Sequence, residues 1–198
     1  MTVRDGAASR ERILTEVTRL FIEKGYHGTG VQEISTAVGL GRGALYHHIG
    51  SKERLLFEIS MGLLQQAISL AEPVAAGADA PDVKLRRLAG DLLHHHAVHG
   101  DGWSVAIHEA RFLSEVHRKE INSARDAYER IWHGVMDEGA AAGLWREVDD
   151  LEVRGILGMF NSAARWIRLD GPLGPEEIAD RYIGLLMDGL GRRSEWRQ

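Results

Sequence analysis

Between Gly41 and Gly50 the chain reads Arg42-Gly43-Ala44-Leu45-Tyr46-His47-His48-Ile49, and these side chains have the chemistry of groove readout. Arg42 can fork onto a guanine edge or a phosphate, Gly43 leaves nothing to obstruct a close approach, and the Ala44 methyl suits a thymine methyl. Tyr46, His47 and, beyond the turn, Lys52 are donors of the kind that hold a protein on phosphate oxygens. Leu45 and Ile49, four apart, would turn inward and leave the others on the outer side. Thr29 stands at the opening of an earlier short helix, whose N–H groups suit a phosphate.

Two other clusters compete for attention. His94-His95-His96 with His99 invites a metal, but adjacent histidines diverge around a helix and cannot all converge on one ion. They are read as solvated or pocket-lining residues, and no metal is expected. His108 with Asp91 has the makings of a general-base pair, yet no nucleophile, P-loop or dinucleotide fingerprint accompanies it. No catalytic residue and no cofactor are expected. A helical enzyme and a helical adaptor for another protein are the rival classes, and both leave the ordered segment Arg42–Ile49 without a purpose.

The elements that must position these residues are helical almost throughout. A first helix is expected from about Ser9 to Lys24, with Ile13, Leu14, Val17, Leu20 and Phe21 on one face and Gly25 as its C-cap. Thr29 with Gln32 reads as a capping box for a short helix ending at Gly39. The segment Arg42–Ile49 follows, then a helix capped by Ser51 and stopped by Pro73. Further helices are expected at Asp82–His99, at Trp103–Leu113 after a Gly100-Asp101-Gly102 break, and at Val116–Ala142. The last two are Leu151–Leu169 and Pro175–Leu190, where Pro175 fits the first helical position. The pattern predicts an all-α fold of nine helices.

Charge is unevenly divided. The chain is 198 residues long with a formal net charge of -5, but residues 1–57 carry eight Lys/Arg against six Asp/Glu, while residues 58–198 carry sixteen against twenty-three. A slightly basic head on an acidic body is compatible with nucleic-acid contact confined to one end. The absence of cysteine excludes disulfides and thiolate chemistry. The polar start MTVRDGAASRERI lacks the apolar stretch of a signal peptide, and no run is long enough to cross a membrane. A cytoplasmic chain with no membrane partner is the expectation.

At these residues a family resemblance enters. The run TRLFIEKGYHGTGVQEISTAVGLGRGALYHHIGSKERLL strongly resembles the DNA-binding head of the TetR family of bacterial repressors, over roughly Arg10 to Phe57. The resemblance implies a helix-turn-helix domain at 1–57 and a ligand-binding and dimerisation domain at 58–198. It also implies a homodimer on a double-stranded DNA operator, base readout around Arg42, Gly43 and Ala44, and phosphate contacts from Tyr46, His47 and Lys52. Gly41 departs from the family's usual Ser or Thr cap, a change of only about a few tenths of a kcal/mol in helix stability. Ile49 replaces a customary phenylalanine, and His48 replaces a second aromatic.

For the body, the run from Leu157 to Gly171 and then Gly174-Pro-Glu-Glu-Ile-Ala-Asp resembles the last two helices of a subgroup that senses CoA thioesters of fatty acids or steroid breakdown products. Asn161, Arg165 and Trp166 carry that narrower likeness. A CoA thioester needs an apolar tunnel and cationic groups. Trp103, Ile107, Phe112, Trp132, Met136 and Phe160 are candidate walls, Arg165 a charge partner, and Trp166 a stacking surface. A hydrophobic effector outside the CoA class is the alternative. Small residues on the last two helices permit close approach, and Leu157, Ala164, Ile183, Leu186 and Met187 are the candidate dimer interface.

Overall fold

Apolar residues recur at helical spacing along this chain, and the computed structural model, which describes residues 3–41, 43, 45 and 50–191, is helical in every regular element. The helices are α1 (Val3–Gly28), α2 (Val31–Val38), α3 (Lys52–Ala76), α4 (Pro81–His108), α5 (Glu115–Ala141), α6 (Asp150–Ser162) and α7 (Pro175–Gly191). Short 3-10 turns cover Ala110–Phe112 and Ala163–Arg165. No helix among the described residues is long and apolar enough to cross a membrane.

Two compact units share the chain. One holds Met1–Leu63 with Asp101–Ser123, the other Leu64–Gly100 with Ala124–Gln198. A later segment, 101–123, groups with the N-terminal helices. In the first unit α1 buries Ile13, Val17, Leu20 and Phe21, while α2 buries Ile34 and Val38. Leu14, expected on the same face of α1, is only half-buried. In the second unit Leu85, Leu88 and Leu93 of α4 and Trp132 and Val135 of α5 are buried, as is Phe160 of α6.

Several boundaries differ from expectation for identifiable reasons. Gly25 breaks the helix where a cap was expected, with φ 72° and ψ 166°, and a further helical turn follows the kink to Gly28. Gly39 does cap α2 in the left-handed region, its N–H reaching the Ser35 and Thr36 carbonyls. Pro73 lies inside α3, which continues to Ala76. So near a helix end the lost N–H bond is one of the few removed, and the penalty is tolerated.

The break expected at Gly100-Asp101-Gly102 falls one residue earlier, at His99, whose φ of -117° and ψ of 25° mark a kink where two helical runs meet. Space explains these glycines. A Cβ on Gly102 would stand 3.1 Å from Leu63 Cδ1, and one on Gly100 would stand 3.3 Å from the Ala164 carbonyl. A side chain at either position would crowd its neighbour. The helix expected to run to Leu169 ends at Ser162, and it starts on an Asp149/Glu152 capping box. Ser51 caps α3 as expected, accepting from the Arg54 N–H at 3.0 Å. Pro175 opens α7.

The turn after α5 folds back on it. The Leu144 N–H bonds the Gly139 carbonyl at 2.9 Å, and Gly143 adopts φ 74°. The Trp145 indole then lies on the last turn of α5, donating to the Met136 carbonyl at 2.8 Å. Lys84 is buried and ties α4 to two other helices, donating to the Ala75 carbonyl and the Glu138 carboxylate at 2.8 and 2.7 Å.

Candidate functional site

The turn between α1 and α2 sets the direction of the short helix, and three groups within the first unit hold it. Thr29 is fully buried, and its hydroxyl donates to the Leu20 and Gly25 carbonyls at 3.1 and 2.9 Å. The capping box expected at Thr29 and Gln32 is thus corrected. The N-cap of α2 is Gly30, with no side-chain cap, because the Thr29 hydroxyl has turned back to satisfy the end of α1.

Lys52 supplies the second hold. Its ammonium donates to the Tyr26 and Thr29 carbonyls at 2.8 and 3.0 Å and stands 4.3 Å above the Tyr26 ring. Burial lowers its pKa below the ordinary lysine value, as expected for a cation held against carbonyls and a ring. Two of its three N–H groups are thus occupied inside the protein.

The third hold comes from the segment after α4. The Tyr26 N–H donates to Glu109 Oε1 at 3.3 Å, and its ring stacks on Phe112 at 5.1 Å. His27 meets the same Phe112 ring edge-on at 4.1 Å. Nearby, Glu53 of α3 accepts from the Ser114 N–H at 2.7 Å and lies 2.8 Å from His117 Nδ1, while the His117 ring stacks on Phe57 at 4.0 Å. Burial would raise the Glu53 pKa, but these donors draw it below the usual range. His117 carries no motif, so sequence reasoning passed over it.

Of the groove-facing segment, Gly43 is helical and exposed, and Leu45 is buried with its N–H on the Gly41 carbonyl at 2.8 Å. Leu45 therefore points inward, as its spacing with Ile49 predicts. Arg42, Ala44, Tyr46, His47, His48 and Ile49 lie outside the described residues.

The candidate sensor residues fall into two groups. Trp103, buried, Ile107, exposed, and Phe112, half-buried and engaged with Tyr26 and His27, belong to the first unit. Trp132, Met136 and Phe160 belong to the second and are fully buried, with Trp132 and Phe160 rings 5.4 Å apart and Tyr182 a further contact of Phe160 at 5.5 Å. Asn161, Arg165 and Trp166 are exposed at the end of α6 and its 3-10 turn. Among the candidate interface residues Leu157, Ala164 and Ile183 are buried within the chain, and Leu186 and Met187 are half-buried. Leu151 and Leu185 on the same two helices are 76% and 65% exposed, and a Cβ on Gly155 or Gly158 would meet open space.

The histidine run separates by helix face. His94 is exposed and His99 half-buried, whereas His95 and His96 are buried. His95 Nε2 lies 3.1 Å from Gln66 Oε1. Among the described residues no group of three His, Cys, Asp or Glu side chains is placed to hold a metal. Burial pushes the His95 and His96 pKa values down to about 4 from 6.5, with neighbouring histidines adding to the effect.

Between those values the unfolded chain binds protons that the folded chain refuses. Stability from these groups is therefore complete above about pH 6.5 and declines as pH falls toward about 4, by at most on the order of 3 kcal/mol for each residue. Thermal melts at pH 7.5 and pH 5 should show this loss. His96→Leu should remove part of the difference; an unchanged pH dependence in that variant would contradict the assignment.

Comparison with known proteins adds two family matches and several relatives. Residues 13–59 match the profile described as bacterial regulatory proteins, tetR family, and residues 78–190 match tetracyclin repressor-like, C-terminal domain. The transcriptional repressor KstR2 of Mycolicibacterium smegmatis is 28% identical over 196 residues, spanning 93% of this chain and 91% of the relative. The crystal structure of the TetR family regulator PfmR from Thermus thermophilus superposes with a TM-score of 0.83 at 37% identity, over 91% of this chain and 100% of that one. AibR, solved with isovaleryl coenzyme A and operator DNA, superposes with a TM-score of 0.78 at 27% identity, over 89% and 97% of the two chains.

Proposed function

The chain belongs to the TetR family of bacterial transcriptional regulators, and on that premise we propose that it is a homodimeric repressor released from a palindromic operator by a hydrophobic thioester of the acyl-CoA or steroid-CoA kind. The observation that carries this reading is the likeness over most of the chain to AibR, which was captured with both isovaleryl coenzyme A and operator DNA. Similarity over nearly the full length to KstR2, a ketosteroid transcriptional regulator in Mycobacterium tuberculosis, supports the repressor reading.

In this reading residues 1–57 bind DNA and residues 58–198 bind effector and form the dimer. Arg42, Gly43 and Ala44 face base edges. Tyr46, His47 and the remaining N–H of Lys52 take phosphates, and Thr29 serves from within by fixing the turn whose uncapped α2 N-terminus faces the backbone of the duplex. Taking Arg42–Ile49 as a helix, and α4 as two helices at the His99 kink, gives nine in all. The dimer uses α6 and α7: Leu151, Leu185, Leu186 and Met187 supply area, Gly155 and Gly158 allow close approach, and Leu157, Ala164 and Ile183 support that face from beneath. Trp132, Met136 and Phe160 line the apolar part of the effector site, with Asn161, Arg165 and Trp166 at its mouth.

Helices α3, α4 and α5 each contribute residues to both units, so effector binding and head position share the same helices. Two heads must meet half-sites about 34–36 Å apart, so a modest change in their separation weakens simultaneous docking. Coupling of this kind is reciprocal. Calorimetric titration of octanoyl-CoA, with and without a palindromic duplex selected from random DNA, should give equal factors for the loss of effector affinity and the loss of operator affinity. Identical effector affinities in the two titrations would refute the mechanism.

A further inference from the structure

The first turn of α5 is capped by residues from two helices. Ser114 precedes the helix, and its hydroxyl accepts the His117 N–H at 3.2 Å, as an N-cap serine does. In an ordinary capping box the third helical residue, Glu or Gln, reaches back to the N–H of the cap. Here that residue is His117, and the carboxylate comes instead from α3: Glu53 Oε1 accepts the Ser114 N–H at 2.7 Å. The His117 ring turns to the same group, with Nδ1 2.8 and 2.9 Å from the two Glu53 oxygens. Its face lies on Phe57 at 4.0 Å, the two planes 13° apart. Burial pushes the Glu53 carboxyl up, but the Ser114 and His117 donors outweigh it and hold it below the ordinary glutamate range. One carboxylate thus completes the box and holds the histidine.

The exchange runs both ways within this unit. Segment 109–117 returns a carboxylate, since Glu109 Oε1 accepts the Tyr26 N–H at 3.3 Å, directly after the Gly25 kink. Glu53 is the neighbour of Lys52, whose ammonium donates to the Tyr26 and Thr29 carbonyls. Thr29 in turn precedes Gly30, the N-cap of α2. A displacement at the start of α5 therefore reaches α2 through two adjacent side chains of α3. Charge alone makes a carboxylate in a DNA-binding head a cost, so any gain from Glu53 is geometric.

We propose that Glu53 is a positioning residue for operator binding: by completing the cap of α5 at Ser114 and His117, it fixes the first turn of α3, and with it the Lys52 brace that aims α2. This rests on the repressor reading above and adds to it the joint at which α5 bears on the head. The stack on Phe57 supplies packing and the carboxylate supplies aim. The two contributions are separable at His117.

The test uses the full chain, a palindromic duplex selected from random DNA by the wild type, and fluorescence anisotropy over a salt series, with a thermal melt of each variant. His117→Phe keeps a ring against Phe57 and removes the Nδ1 donor. His117→Asn offers an amide N–H near the Nδ1 position and loses the ring. Glu53→Met keeps the length of the side chain and removes the acceptor. Glu53→Met and His117→Phe should each weaken operator binding by about three- to thirtyfold, with the log–log salt slope unchanged because no phosphate contact is lost. His117→Asn should bind within about twofold of the wild type even though it melts at a lower temperature. If Glu53→Met does not fold, the His117 pair decides.

Wild-type affinity in Glu53→Met and His117→Phe would overturn the proposal and leave the repressor reading intact. Tighter binding by Glu53→Met would do the same, by showing that only its charge matters. So would a loss in His117→Asn as large as that in His117→Phe, since affinity would then follow packing. A wild-type protein that selects no duplex would overturn both.

Discussion

Gly139→Ala should lower the melting temperature of the ligand-free protein by roughly 6–12 °C, the equivalent of about 3 kcal/mol for a chain of this length. A Cβ at this position would stand 1.8 Å from Trp145 Cζ2, and 2.2 and 2.3 Å from Cε2 and Cη2 of the same ring. Relief would require the indole to move, and the indole is pinned. It is buried, and its Nε1 bonds the Met136 carbonyl at 2.8 Å, on the helix that carries Gly139. Displacing it breaks that bond and opens the turn that closes α5.

Gly134 on the same helix is the internal control. A Cβ there meets nothing within 4 Å and the residue is exposed, so Gly134→Ala should stabilise by about 0.5–1 kcal/mol through lower helix cost. Opposite signs from two identical substitutions five residues apart would isolate the Trp145 contact. Melts followed by far-ultraviolet circular dichroism give both values, and a Gly139→Ala protein that melts with the wild type would show that the ring is free to move.

Lys52→Met should reduce operator affinity by about thirtyfold or more, beyond what a single phosphate contact supplies. The ammonium bonds two carbonyls, of Tyr26 and Thr29, and covers the Tyr26 ring. A hydrogen bond to a charged group contributes about 1.5–3 kcal/mol, and methionine can replace neither. The carbonyls then seek water, and the turn that aims α2 loses its brace. Fluorescence anisotropy over a salt series separates the contributions. A phosphate contact alone would make the log–log salt slope shallower by about one, with a correspondingly small loss. Bracing adds a loss that persists at every salt concentration. Wild-type affinity in Lys52→Met would exclude both roles.

Periodicity made the helices legible, and ordered spacing made the head recognisable before any coordinates. What escaped was contact over distance. Gly100 and Gly102 marked a break within a residue of the His99 kink, but their closeness to the Ala164 carbonyl and to Leu63 could be seen only in three dimensions. Thr29 followed by Gln32 fits a capping box locally, but the carbonyls of Leu20 and Gly25 compete for its hydroxyl and win. Asp149 and Glu152 had the right spacing for a box and were passed over because the apolar pattern drew attention to Leu151.

The bond from the Tyr26 N–H to Glu109 joins residues 83 positions apart, and Phe112, Ser114 and His117 complete the same cluster. On a ribosome the N-terminal helices must therefore wait, since the residues that finish their packing are synthesised roughly twice as far along as the reading motif itself. A nascent chain carrying the motif alone is an incomplete fold with its aromatic surface uncovered. The contacts around Tyr26 and Glu53 are therefore complete only once residues 109–117, more than half-way along the polypeptide, have been made.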